Sequence, residues 1–244
     1  MRRATILGFI AAALALGGIA VFAGLGAQEQ NPRASSNRKS FDETRFPIAD
    51  FSAPEPTDPV QRAKRRARAR KHDKSDWAVN PEATSDTTVR VDFVDQTLRA
   101  FPLAQNTLVV AGKITDSRAY LSSDKTGIYS VFSLQVEEVL MNASAKALAP
   151  GALLELEREG GRVKFPSGRV KLYMTKEQDM PEIGSTYVFF LVDPDNESVF
   201  QIVTGYEFRD GKVYPLDDLP NTRTYQNADV TKFMSELRMK IASF

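Results

Sequence analysis

The sequence contains no cysteine and a single histidine. Without cysteine there are no disulfides, thiolate zinc sites, iron–sulfur clusters or cysteine nucleophiles. The one histidine, His72, leaves no multi-histidine metal site, and a Ser-His-Asp triad would have to use it. Excess charge is scarce too: 32 basic and 31 acidic side chains leave a formal +1 over 244 residues. That balance is a cancellation. Residues 1–27 carry only Arg2 and Arg3, residues 28–90 a net +3, and residues 91–244 a net −4. Each part therefore needs its own reading.

What is present begins with an apolar run. From Ala4 to Ala27 there are 24 residues without charge, behind Arg2 and Arg3. A helix of that length reaches ~36 Å, enough for a hydrocarbon core of ~30 Å. The pattern predicts a membrane contact through residues 4–27, as a signal-anchor or as a cleaved signal peptide over 1–27. The length favours retention as a transmembrane helix. The small residues in Val21-Phe22-Ala23 and Gly24-Leu25-Gly26 suit cleavage. Arg2 and Arg3 place the N-terminus in the cytoplasm. The rest is then extracytoplasmic, single-pass and anchored if the segment stays, secreted or periplasmic if it is removed.

Residues 28–104 begin with a stretch, 28–59, that shows no apolar face at period 3.6 or 2 and is punctuated by five prolines between Pro32 and Pro59. They read as a disordered tether. Within it lies a basic block, 60–74, carrying Arg62, Lys64, Arg65, Arg66, Arg68, Arg70 and Lys71 among alanines. Ala and Arg are good helix formers, so a short polar helix is expected. The block has three readings: a solvated linker, a contact for an anionic surface, or a nucleic-acid contact. Export and the absence of an aromatic inside the block argue against nucleic acid. His72 reads as a solvated side chain. Val89, Val91 and Phe93 alternate, which suits an edge strand or strap.

Residues 105–244 alternate as short strands. Thr107–Thr115 is rich in β-branched residues, and Ile128–Leu140 alternates apolar and polar positions. Pro166-Ser167-Gly168 and Asp210-Gly211 are hairpin turns. Thr186–Val192 is continuously apolar, so both its faces should be covered. One helix is expected at 228–242, from the stripe Val230, Phe233, Met234, Leu237 and Ile241. The fold class is mainly β: a small, OB-like, partly open β-barrel, or a sandwich, closed by a C-terminal helix.

The runs VVAGKIT (109–115), AYLSSDKTGIYSVFSLQVEEVL (119–140), GGRVKFPSGRV (160–170) and IGSTYVFFLV (183–192) carry a resemblance. In that order they resemble a group of uncharacterised exported bacterial proteins with an OB-like or netrin-like β-barrel domain. The resemblance covers roughly residues 105–220 and implies no activity.

Several constellations carry chemistry on paper. Ser122 to Gly127 contains both S-x-x-K and K-T-G, two signatures of penicillin-binding enzymes. Both would share Lys125, and a lysine base must be desolvated to lose its proton, so a turn is the expected role. Asp193 to Glu197 offers oxygen ligands but lacks the glycine and distal glutamate of a calcium loop. Asp217-Asp218 reads as a charged loop, because neighbouring strand residues face apart. Six tyrosines, from Tyr120 to Tyr214, are expected mostly in the core. The outward stripe Arg162, Lys164, Arg169 and Lys171 is the clearest folded-domain patch for an anionic polymer. Asn142-Ala143-Ser144 and Asn196-Glu197-Ser198 match the glycosylation pattern.

The expected function is a non-catalytic, envelope-exposed binding protein for another envelope protein or an anionic polymer. No catalytic residue, metal or cofactor is assigned, and no nucleic-acid partner is expected. The alternatives are a hydrolase using Ser/Lys or carboxylates, and a nucleic-acid binder through the basic block.

Overall fold

The computed structural model describes residues 42–91, 93–142, 147–193 and 199–244. The apolar run, residues 28–41, Ala143 and Ser144 of the first glycosylation pattern, and residues 194–198 with the whole of the second pattern and most of the Asp193 to Glu197 stretch lie outside the described residues. Among the described residues, no helix is long and apolar enough to cross a membrane.

Among the described residues, eleven strands and two α-helices follow one another from a one-turn 3-10 helix at Glu43–Arg45. They are β1 (Ile48–Asp50), α1 (Pro59–Arg70), β2 (Thr87–Arg90), β3 (Thr107–Leu121) and β4 (Ile128–Asn142). Next come β5 (Leu153–Glu159), β6 (Gly161–Lys164), β7 (Val170–Thr175), β8 (Thr186–Val192) and β9 (Val199–Arg209). β10 (Lys212–Pro215), β11 (Ala228–Asp229) and α2 (Val230–Ala242) complete the chain.

Five strands close into a barrel in the order β3-β4-β5-β9-β8 and back to β3. All pairs are antiparallel except β5 with β9, which run parallel through Leu156↔Phe200 and its two neighbours. The expected partly open barrel is thus closed. β8 is hydrogen-bonded on both edges, to β3 and β9, which also removes the sandwich alternative.

Strand alternation fills this barrel. Leu108, Val110 and Ile114 of β3 point in, with Phe132 and Leu134 of β4, Leu156 of β5, Phe189 and Leu191 of β8, and Phe200 of β9. The opposite face of β3 and β8, through Val109, Val188 and Phe190, lies beneath Phe233, Met234 and Leu237 of α2. That double cover is why Thr186–Val192 has no polar positions after its first residue. α2 starts at Val230, two residues later than expected, because Asp229 is its N-cap and accepts from the Lys232 amide. At the β9–β10 turn, Asp210 and Gly211 both have positive φ (52° and 71°), the conformation that the Asp-Gly pair predicts.

The tether expectation does not hold over residues 42–104. The compact unit runs from Asp42 to Phe244. β1 adds parallel to β6, and β2 parallel to β7, making a four-stranded sheet β1-β6-β7-β2 beside the barrel. Trp77 and Val79 are buried with Ile128, Phe165 and Tyr173 in a second core under that sheet. Phe46 is buried in the barrel core, and Phe101 packs with α2. Isolated apolar residues in a polar segment were enough, because each fills a place already walled by strands.

Candidate basic groove along α1

α1 forms for local reasons. Asp58 caps it by accepting from the Val60 and Gln61 amides, Pro59 occupies the first turn, and alanines alternate with arginines. Arg68 and Arg70 sit at its C-terminal end, where the helix dipole favours cations.

Its position is set by charge. β5 carries Glu155, Glu157 and Glu159 at period 2, hence on one face. Four helical residues advance ~6 Å and two strand residues ~6.7 Å. Arg68, in the last turn of α1, and His72, in the turn just beyond it, fall close to that step with the glutamates. Arg68 pairs with Glu155 and approaches Glu157 at 3.9 Å. His72 Nε2 lies 3.0 Å from Glu157 Oε1, and its Nδ1 3.8 Å from Glu159. The imidazole stacks on Tyr129 at 4.1 Å. Ala69, between the two cations, is buried against Tyr129 and Val131.

His72 is buried, not solvated as the sequence suggested. Burial alone would lower its pKa. The hydrogen bonds to Glu157 and Glu159 outweigh that and raise it to about 9, so the ring is cationic at neutral pH. Glu159 is held below its usual value by His72 and then by Arg90.

The segment after α1 is locked to the β3–β4 loop. Asp73 accepts from Ser123 Oγ and the Asp124 amide, Asp124 accepts from the Lys74 amide, and the Val79 amide donates to the Thr126 carbonyl. Asp124 also takes the Thr126 amide and the Ser122 hydroxyl, which push its pKa well below the carboxylate range. The Ser122–Gly127 stretch is thus a turn, as expected. Neither serine hydroxyl is bonded to Lys125, whose Nζ donates to the Phe51 carbonyl at 3.0 Å. Asp217 and Asp218 diverge: Asp217 is fully buried on Arg158, while Asp218 pairs with Arg223.

The stripe Arg162, Lys164, Arg169 and Lys171 does not form one outward patch. Arg162 donates to the Phe46 and Thr44 carbonyls. Arg169 holds Asp86 and the Ala83 and Thr84 carbonyls. Lys171 is 5 % exposed, lies over the Tyr173 ring, and has its pKa lowered by burial and then by Arg169. Of the four, only Lys164 is exposed. Arg162 and Arg169 thus bind the N-terminal segment that the sequence left as tether.

Cationic lining appears instead between α1 and the barrel. One cavity of about 240 Å³ is lined by Arg62, Arg65 and Arg66 of α1 with Tyr120, Ser123 and Lys125. A second, of about 390 Å³, is lined by Lys64, Arg65, Arg68, Arg118, Tyr120 and Tyr129. Together the walls hold seven cations, against the carboxylates of Asp50, Glu55 and Glu155. Glu55 is shared by Arg62 and Arg66, and Glu155 by Lys64 and Arg68. Arg65 has no carboxylate within ion-pair reach among the described residues, and its guanidinium sits 5.3 Å from the Tyr120 ring centre. Arg70 and Lys71 lie outside these walls, exposed at the end of the helix.

Sequence reading found the five cations that α1 gives this groove but not its floor. Tyr120, Arg118 and Lys125 come from the β3–β4 hairpin, far along the chain. The period-2 glutamates of β5, matched to Arg68 and His72, were the available signal. Among the described residues, no group of three or more His, Asp or Glu side chains is arranged to hold a metal ion. Compared with protein-family models, with curated proteins and with solved structures, the chain finds no match.

Proposed function

We propose that this chain is a non-catalytic binding module of OB-like architecture, held outside the cytoplasm through its apolar N-terminal segment, that binds an anionic polymer along α1. One observation carries the reading: seven cations line two adjoining cavities whose walls hold three carboxylates, with Asp116 outside those walls pairing Arg118 at 3.0 Å. Arg65, at the seam, lacks an ionic partner among the described residues. A guanidinium held over an aromatic ring with no carboxylate in direct ion-pair contact is poised to take an external anion. The closed order β3-β4-β5-β9-β8, with β5 and β9 parallel, supports the OB-like description. The absence of charge from Ala4 to Ala27 supports the location.

The test is titration of the purified full chain in detergent with polygalacturonate, polyphosphate and poly-L-glutamate at low and physiological salt. At least one polyanion should bind, with affinity falling steeply as salt rises. Arg65→Gln should weaken that binding roughly tenfold, or about 1.4 kcal/mol. Failure of all three polymers to bind at low salt would overturn the proposal.

A further inference from the structure

We infer that the groove takes its ligand as a chain of acidic sugar rings that spans both cavities, with one ring seated against Tyr120. This rests on the anionic-polymer reading and narrows it. The two cavities share three residues, Pro56, Arg65 and Tyr120. Each then has its own cations: Arg62, Arg66 and Lys125 on one side, Lys64, Arg68 and Arg118 on the other. A ligand with one anionic group meets one set. A ligand whose charges recur along a chain meets both, and must pass the seam.

The seam is aromatic. Tyr120 is half-buried, packs on Tyr129 at 5.7 Å, and turns a face toward Arg65. An aromatic ring beside a guanidinium matches a sugar acid, whose C–H face stacks while its carboxylate or phosphate pairs with arginine. A polyphosphate or an acidic peptide backbone gains nothing from the ring. The three carboxylates in the walls point the same way. Asp50, Glu55 and Glu155 repel a ligand made only of anionic groups, yet they accept hydrogen bonds from sugar hydroxyls. Single-stranded nucleic acid also joins rings to charges, but it needs successive stacking platforms. Here Tyr129 is 1 % exposed, and Phe51, the other ring in the walls, lies in the first cavity beneath Lys125 Nζ at 4.6 Å, so among the described residues Tyr120 is the accessible ring at the seam.

The experiment titrates the full chain with mono-, tri- and hexagalacturonate, and with hexaglutamate, polyphosphate and oligo-dT of matched charge. Affinity should rise at least tenfold from monomer to hexamer, and hexagalacturonate should exceed hexaglutamate and polyphosphate by about tenfold. Tyr120→Leu should erase that margin while leaving polyphosphate binding in place, and Tyr120→Phe should keep it. Should Tyr120→Leu fail to fold, as reported by Trp77 emission, Arg118→Gln gives the second readout: it removes the gain from trimer to hexamer. Equal binding of polyphosphate or hexaglutamate overturns the sugar assignment and leaves the anionic-polymer reading standing. Tightest binding of oligo-dT overturns it in favour of nucleic acid. No binding of any polyanion removes both.

Discussion

His72 Nε2 and Glu157 Oε1, contributed by the turn that follows a basic helix and the middle of a barrel strand, meet at 3.0 Å in a contact closed to solvent on both sides. The histidine is the only one in the chain. Arg68 and Glu159 flank the pair, Arg90 neutralises Glu159 from β2, and Tyr129 covers the imidazole.

This pair gives α1 a pH-dependent hold. A base whose folded pKa is raised contributes stability that is complete below its unfolded value, near 6.5, and lost as pH climbs through the folded value, about 9. The shift corresponds to about 3 kcal/mol. Urea denaturation from pH 6 to 10 should show that loss, with Trp77 emission following the docked segment. His72→Gln should lower stability at pH 7 by roughly the same amount and flatten the profile between pH 7 and 10. An unchanged slope in His72→Gln would assign the pH dependence elsewhere.

Gly127 should be the most sensitive point of the lock between α1 and the barrel. A Cβ at this position would lie 2.4 Å from the His72 carbonyl oxygen and 2.9 Å from Ser75 Cβ. The first contact is backbone and cannot swing away. Gly127→Ala is expected to cost about 1–3 kcal/mol. It should also shift Trp77 emission to the red, because that side chain, 2 % exposed, lies on the displaced segment. Wild-type emission with wild-type stability would show that residues 72–75 yield freely.

Inside the fold, Arg158 and Asp217 form a two-pronged ion pair at 2.6 and 2.9 Å, with side chains 3 % and 0 % exposed. Arg158 also donates to the Asp179 and Val203 carbonyls. Removing one charge strands the other, so Arg158→Met should cost about 3–5 kcal/mol. The double variant Arg158→Met, Asp217→Leu should recover a substantial part of that loss. Additive losses in the two single variants would contradict this, as a double-mutant cycle by chemical denaturation can show.

Phe101 tests whether the stretch before β3 belongs to the domain. Its ring approaches Phe190, Tyr206, Tyr225 and Phe233 within 5.0–6.3 Å. Phe101→Ala should destabilise by about 3 kcal/mol and free residues 95–104 for hydrogen exchange or proteolysis. Val91→Ala, at a half-exposed position, serves as the neutral control.

Much of the barrel was legible in sequence because period 2 is a local signal. Phe132, Leu134 and Val136 alternate visibly, and Asp210-Gly211 marks its turn without help from elsewhere. The α2 stripe was equally plain. The alternation at Val89, Val91 and Phe93 did mark the edge strand that β2 forms, whereas the docking of residues 42–86 was hidden, because no apolar face recurs there. Its partners are distant: carbonyls of Thr44 and Phe46 for Arg162, Glu155 and Glu157 for Arg68 and His72. The same blindness turned Arg169 and Lys171 into an apparent outward patch. Alternation places side chains on a face, but says nothing of which other segment later covers that face.

The three glutamates of β5 have a last consequence. Left bare, that wall of the barrel would present a negative field and turn polyanions away. The helix laid across it reverses the polarity and over-corrects, since Arg65 remains after Glu55 and Glu155 are satisfied. Cutting the chain between α1 and β2 would therefore do more than weaken a binding surface: it would convert an attractive face into a repulsive one.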